Sequence, residues 1–78
     1  MQGLKFKLLY LNKYEALVYE ALVKLGKTGA LEISRESGVP YGRIYDTLNT
    51  LADKGLIIVI PEKSKKFTAA PPEALEKI

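Results

Sequence analysis

The sequence predicts a mainly α-helical fold that ends in a small β-hairpin. Two observations carry this prediction. Apolar residues recur at helical spacing in three successive segments between residues 12 and 55, and a glycine follows each segment. Beyond residue 55 the helical spacing stops, and two short runs containing β-branched and aromatic residues flank a polar turn. A chain of 78 residues is long enough for one small domain.

The first helix is predicted to begin after Asn12, a residue type that caps helix N-termini well, and to end at Gly26. One apolar stripe on this helix comprises Tyr14, Leu17, Val18, Ala21, Leu22 and Leu25. A second stripe comprises Ala16, Tyr19 and Val23. Because a helix that is apolar on two faces is usually buried on both, we expect a second cover, which is either the N-terminal segment or another subunit.

Two further helices are predicted on either side of a short turn that contains Gly38 and Pro40. The earlier helix, ALEISRES, follows Gly29 as its N-cap and is closed by Gly38. Pro40 cannot continue that helix, and proline is well suited to open the next one, YGRIYDTLNTLADK, over residues 41–54. The side chains predicted to join the two helices in a shared core are Ala30, Ile33, Val39, Ile44, Leu48 and Leu51.

The hairpin is predicted over residues 56–70, as a strand LIIVIP, a polar turn EKSK and a second strand KFTAA. Two strands alone are marginally stable, so we expect the hairpin to pack on the helices. The chain then divides into an N-terminal extension (1–11), a three-helix core (12–55), the hairpin (56–70) and the start of a C-terminal helix (71–78). This last helix stops with the chain, so we expect either a fragment of a longer protein or a naturally short one.

Composition excludes several kinds of site. The chain has no cysteine and no histidine, which removes disulfides, thiolate metal sites and the commonest general base. The carboxylates form neither a catalytic pair nor a D-x-D-x-D-G run, so we expect no enzymatic activity, no cofactor and no metal. The longest apolar run, residues 56–60, is too short to span a membrane, and no signal peptide is recognisable. We therefore expect a cytoplasmic protein.

Helix, short turn, helix and hairpin follow one another in the order of a winged helix-turn-helix, whose second helix enters the major groove of DNA. The candidate DNA-binding residues are Tyr41, Gly42, Arg43, Tyr45 and Asn49 on helix 41–54, and Lys63, Lys65 and Lys66 on the hairpin, or wing. Arg43 can pair with guanine and Asn49 with adenine, whereas lysines on a wing over residues 62–66 can contact phosphate. Packing is the alternative role for Tyr45. Asp46 is expected to pair with a nearby cation, Arg43 or Arg35.

Charge favours an anionic partner only weakly. The chain carries a net charge of +3, but residues 28–55 hold three basic and four acidic side chains. The excess of positive charge lies before residue 28 and near the wing lysines. This distribution leaves a second hypothesis open, namely a winged helix that contacts other proteins within a larger transcription or repair assembly.

Four stretches, YEALVYEALVKLG, EISRESGVP, RIYDTLNTLADKGLI and KKFTAAPPEAL, resemble the N-terminal domain of archaeal TrmB-type regulators in order and spacing. The resemblance implies a winged helix-turn-helix, a homodimer and sequence-specific binding of double-stranded DNA in the control of transcription, often of sugar transport or metabolism genes. It assigns DNA contact to Tyr41, Gly42, Arg43 and Tyr45, and to the wing around residues 63–66. Family members with a sugar-binding effector domain carry it beyond this segment, so no small-molecule effector is predicted for these residues.

Overall fold

A computed structural model describes residues 11–70 of the chain. Three helices precede two strands in this range: α1 Lys13–Leu25, α2 Ala30–Ser37, α3 Tyr41–Asp53, β1 Ile57–Ile60 and β2 Lys66–Ala69. The mainly α fold with a small hairpin is confirmed. Most of the predicted N-terminal extension and the predicted helix start at 71–78 lie outside the described residues, so the division of the chain into segments stays a prediction. None of the helices within residues 11–70 is long and apolar enough to cross a membrane.

Helix α1 begins and ends with the caps that the sequence predicts. Asn12 Oδ1 accepts a hydrogen bond from the Glu15 N–H at 2.8 Å, and Glu15 Oε1 accepts one from the Asn12 N–H at 3.0 Å. This reciprocal pair is a capping box, which satisfies two backbone donors that the helix itself leaves unpaired. At the other end Gly26 has a φ of 74°, a conformation that glycine adopts without steric cost.

One face of α1 packs into the core and another does so only in part. Val18, Ala21 and Leu22 are buried, as their stripe predicts. Leu25, which we expected in the same stripe, is 38% exposed, because it is the last residue of the helix and lies beyond the packed turns. Val23, in the second stripe, is 60% exposed. Tyr19, in the same stripe, is half-buried and packs against the core, so the residues that the structure describes cover the second face of α1 only in part.

The turn between α2 and α3 is fixed by two serines. Gly38 takes the left-handed conformation, with a φ of 79°, and its N–H bonds to the Ser34 carbonyl at 2.9 Å. The Ser34 hydroxyl donates to the Val39 carbonyl at 2.7 Å, while the Ser37 hydroxyl accepts from the Val39 N–H at 3.1 Å. Pro40 then serves as the N-cap residue of α3. The turn thereby sets the angle at which the two helices cross.

The core lies between the three helices and the hairpin. Its apolar members are Val18, Ala21, Leu22, Ala30, Ile33, Val39, Ile44, Leu48, Leu51, Leu56, Ile57, Phe67 and Ala70. All six side chains predicted to join the second and third helices are among them. Thr47 is also buried on this side of α3, and its hydroxyl donates to the Arg43 carbonyl at 2.8 Å, which satisfies the polar atom locally.

The hairpin pairs β1 with β2 antiparallel, from Ile57 opposite Ala69 to Ile60 opposite Lys66. Both strands are shorter than predicted. On the other edge of β2, Thr28 forms an isolated bridge with Phe67 through two backbone hydrogen bonds of 3.0 and 2.8 Å. This bridge, which the sequence did not predict, attaches the middle of β2 to the loop between α1 and α2.

Candidate nucleic-acid interface

Helix α3 presents the predicted reading residues to solvent. Its side toward the core carries Ile44, Leu48 and Leu51, none of which is measurably exposed. The predicted DNA-contacting residues Tyr41, Gly42, Arg43, Tyr45 and Asn49 are all exposed. The helical spacing therefore separates the two sets correctly, and it leaves one long side of α3 accessible to a partner.

Tyr41 and Tyr45 form an aromatic ridge along the flank of α3 nearest the hairpin. Their ring centroids are 6.1 Å apart and the ring planes stand at 84°, an edge-to-face arrangement. Tyr45 also meets Phe67 of β2 edge to face, with centroids 6.2 Å apart. Tyr45 therefore packs against the wing and is also accessible to a partner, because one part of its ring contacts Phe67 while the residue remains 44% exposed.

Arg43 lies on the opposite flank of α3. Since successive helical residues are about 100° apart, Arg43 is rotated by about 160° from Tyr45 around the helix axis. It lines an open groove of about 440 Å³ together with Asp46 and with Asn12 and Lys13 at the start of α1. No ion pair among residues 11–70 involves Arg43 or Asp46, so the predicted pairing of Asp46 with Arg43 or Arg35 is not observed there.

A partly buried ion pair anchors the C-terminal end of α3 to the start of α1. Lys54 Nζ lies 2.8 Å from Glu15 Oε1, the same oxygen that accepts the Asn12 N–H. Burial opposes ionisation of the Glu15 carboxyl, but the hydrogen bonds from Lys54 and Asn12 and the positive charge of Lys54 together lower its pKa below the ordinary value of 4.5. The sequence did not predict this pair, although it shows the Asn12-x-x-Glu15 spacing of the capping box.

The wing lysines differ in where their side chains lie. Lys63 and Lys65 are exposed, whereas Lys66, the first residue of β2, is partly buried. A Cβ atom placed on Gly29 would lie 3.7 Å from Lys66 Nζ and 3.5 Å from Glu32 Oε1, so the Lys66 ammonium is directed back toward the start of α2. Lys63 and Lys65 are therefore the wing cations best placed for an external phosphate.

The turn of the wing is also attached to the helical core. Glu62 forms an exposed ion pair with Lys27, which precedes the Thr28 bridge. The carboxylate of Glu62 thereby places a negative charge beside the exposed wing lysines. The position of the wing is set along β2 by the backbone hydrogen bonds of the Thr28 bridge and at its turn by this ion pair.

The partly covered second face of α1 forms an apolar groove of about 370 Å³, lined by Leu11, Ala16, Tyr19, Glu20 and Val23. A second groove of about 350 Å³ shares Tyr19 and Val23 with it and extends to Ala69 and Ala70 at the end of the hairpin. Within residues 11–70 no group of acidic side chains could hold a metal ion. This α1 face is an apolar surface distinct from the outward side of α3.

Comparison with known sequences gives one family and several related regulators. A family model described as sugar-specific transcriptional regulator TrmB matches residues 6–73. The HTH-type sugar sensing transcriptional regulator TrmBL1 of Pyrococcus furiosus is 44% identical over 69 residues, which are 87% of this chain and 20% of that protein. The DNA-binding HTH-type transcriptional repressor TrmBL2 of Thermococcus kodakarensis is 44% identical over 68 residues, 86% of this chain and 26% of its own length. The chain thus spans about a fifth to a quarter of these relatives.

Solved structures agree with the fold. TrmBL2, described as an archaeal chromatin protein with a novel mode of DNA binding, superimposes with a TM-score of 0.77 at 36% identity, over 88% of this chain and 27% of that one. The Zalpha domain of Carassius auratus PKZ, solved in complex with Z-DNA, gives a TM-score of 0.68 at 22% identity over 74% of this chain and 94% of that one. The second likeness concerns the fold alone, which is that of a winged helix.

Proposed function

This chain belongs to the TrmB family of sugar-specific transcriptional regulators, and from that premise we propose that it binds double-stranded DNA sequence-specifically as the reading domain of a regulator. Helix α3 acts as the recognition helix in the major groove, and the wing contacts the phosphate backbone. The observation that carries the proposal is the exposed side of α3, which holds the predicted reading residues on a buried apolar support and lies next to a wing with two exposed lysines.

Each predicted contact has a physical role in this arrangement. Arg43 supplies a bidentate donor for guanine, and Asn49 can pair with adenine. Gly42, in the first turn of α3, leaves no side chain between the helix backbone and the DNA, and its amide adds to the positive end of the helix. Lys63 and Lys65 neutralise phosphates, with Lys66 as a weaker candidate because its ammonium lies near the start of α2.

The apolar face of α1 supports a homodimer. Val23 and Tyr19 lie at the junction of the two apolar grooves, and a second copy of the chain would remove this surface from water. A twofold dimer would place two recognition helices on half-sites of a pseudo-palindromic operator about 34 Å apart, one turn of DNA. The proposal for residues 11–70 is limited to DNA binding and dimerisation and does not include sugar sensing. As a regulator, the protein acts in the cytoplasm and has no enzymatic role.

A salt titration tests DNA binding. Fluorescence anisotropy with a random-sequence duplex should give salt-sensitive binding, with dissociation constants on the order of 10⁻⁴–10⁻⁶ M at physiological salt. The Lys63→Ala/Lys65→Ala variant should bind more weakly, and the slope of log K against log salt should fall by about 0.9 per lost contact. Lys24→Ala removes a positive charge from α1, where the side chain pairs with Glu36, and should leave the slope unchanged. Sedimentation equilibrium on the same samples gives the oligomeric state.

The protein–protein hypothesis retains one supporting observation, the slight acidity of residues 28–55 around α3. A module that contacts only proteins would show no salt-sensitive binding of duplex at low salt, whether monomeric or dimeric. An unchanged salt slope in the Lys63→Ala/Lys65→Ala variant, with binding retained, would exclude the wing as a phosphate contact while leaving α3 as the DNA-binding element.

A further inference from the structure

The aromatic ridge of Tyr41 and Tyr45 exposes more apolar surface than packing requires. Tyr41 is 51% exposed and Tyr45 44% exposed, although both residues stand on a helix whose other side is fully buried. Tyrosine rings carry large apolar areas, and leaving them in water forgoes the free energy that burial would release. The ridge therefore has the character of a surface that a partner covers.

The ridge is held in place rather than free to collapse onto the domain. Tyr41 meets Tyr45 edge to face, and Tyr45 meets Phe67 at an interplanar angle of 68°. Phe67 is only 2% exposed and takes part in the Thr28 bridge, so the three rings form a series that leads from the core to the first turn of α3. A braced ring loses little conformational freedom when a ligand contacts it.

The major groove offers one kind of apolar group to such a ridge. Among the base edges there, the C5 methyl of thymine is apolar, while the others present hydrogen-bond donors and acceptors. Tyr41 occupies the start of α3, where side chains of a recognition helix reach base edges. A tyrosine phenol is neutral at physiological pH, so Tyr41 does not repel phosphate.

We propose that the aromatic ridge contacts thymine methyl groups in the major groove and thereby selects A·T pairs. The inference rests on the proposed binding of duplex DNA by α3. Because Arg43 lies on the opposite flank of the helix, the ridge and Arg43 would read different base pairs, one by apolar contact and one by hydrogen bonds. The ring supplies the contact, so the phenolic hydroxyl is not required for the selection.

The test removes the methyl group from the DNA and the ring from the protein separately. Anisotropy titrations of the full 78-residue chain use a short alternating dA·dT duplex and the same duplex with every thymine replaced by deoxyuridine. The methylated duplex should bind about fourfold more tightly for each methyl contacted, the ratio that burial of one such group provides. Tyr41→Ala should lower this ratio, and Tyr41→Ala/Tyr45→Ala should bring it to one.

Two further variants separate the ring from its hydroxyl and from the charge of the wing. Tyr41→Phe/Tyr45→Phe keeps both rings and should keep the ratio. Lys65→Ala should weaken binding to both duplexes equally. Equal affinity of the wild-type chain for the two duplexes would overturn the inference while leaving DNA binding intact. So would a ratio that is unchanged in Tyr41→Ala, whose exposed site tolerates the change, or a ratio that is lost in the Phe variant. Failure to bind either duplex would overturn the proposed function as well.

Discussion

Helix α3 and the wing are held to the domain in different ways. Three side chains of α3, Ile44, Leu48 and Leu51, are completely buried, and the residue after the helix forms the Lys54–Glu15 ion pair. The hairpin is held by the buried side chains of Ile57 and Phe67 and by the bridge between Phe67 and Thr28, whereas its turn is held by an exposed ion pair. Contacts that depend on exact position, such as base readout, are suited to the rigidly supported helix. Contacts that depend mainly on charge, such as those to phosphate, need less exact geometry, so the less constrained turn of the wing can supply them.

The largest expected effect comes from removing the support of α3. Ile44→Ala deletes a fully buried side chain and should lower the free energy of unfolding by about 2–5 kcal/mol, because it leaves a cavity where the helix meets the core. Asn49→Ala, on the exposed side of the same helix, should change it by about 0.5 kcal/mol or less. Urea denaturation followed by circular dichroism measures both. Similar values for the two variants would show that α3 is not positioned by its buried side.

The contribution of α3 to sequence selectivity should be separable from the contribution of the wing lysines to overall affinity. Arg43→Ala should weaken binding to a preferred duplex by about 1–3 kcal/mol and relax selectivity at one base pair, since a bidentate contact to guanine is lost. Selection from a random duplex pool, performed with wild type and variant, shows whether one position loses its preference. Lys65→Ala provides the contrast, because its effect should be alike on all sequences. A uniform loss across sequences for Arg43→Ala would place that residue on phosphate instead.

The sequence allows the helices to be predicted more fully than their attachments. Asn12, Gly26 and Gly38 act through neighbouring residues, so their capping roles can be inferred from local spacing. The Lys54–Glu15 pair joins residues 39 positions apart, and the Thr28 bridge is a single pair without any alternation around it. Neither leaves a periodic pattern. The candidate site also has a predictable and an unpredictable part. Helical spacing predicts which side of α3 is exposed, whereas the direction of a lysine side chain on the wing depends on residues that are distant in sequence.

The ion pair that anchors α3 should make stability depend on pH. The pKa of Glu15 is lower in the folded chain than its ordinary value of 4.5, so the pair stabilises the fold above that pH and the stabilisation is lost as the pH falls through the folded-state pKa. Glu15→Gln should cost about 1–2 kcal/mol at pH 7, less than a fully buried pair would because Lys54 is partly solvated.

The difference between Glu15→Gln and wild type should shrink as the pH falls through the folded-state pKa of Glu15, because the wild-type carboxylate is then protonated. Urea denaturation at pH 7 and at an acid pH below the folded-state pKa of Glu15 measures this. Glu20→Gln, an exposed change on the same helix, serves as the control and should follow wild type at both pH values. A stability difference that is independent of pH would mean that Glu15 acts through packing and capping rather than through its charge.

The smallest effect on stability is expected from a change at the turn of the wing. This change should strengthen DNA binding, whereas the other substitutions proposed for the wing weaken it. Glu62 pairs with Lys27 at the surface, so Glu62→Gln should change the free energy of unfolding by only about 0.5 kcal/mol. The same change removes a negative charge beside Lys63 and leaves the Lys27 ammonium available to phosphate. Duplex affinity at low salt should therefore rise, with a salt slope steeper by at most about one unit. Weaker binding with unchanged stability would indicate that the Lys27–Glu62 pair positions the wing, and that even its phosphate contacts depend on geometry.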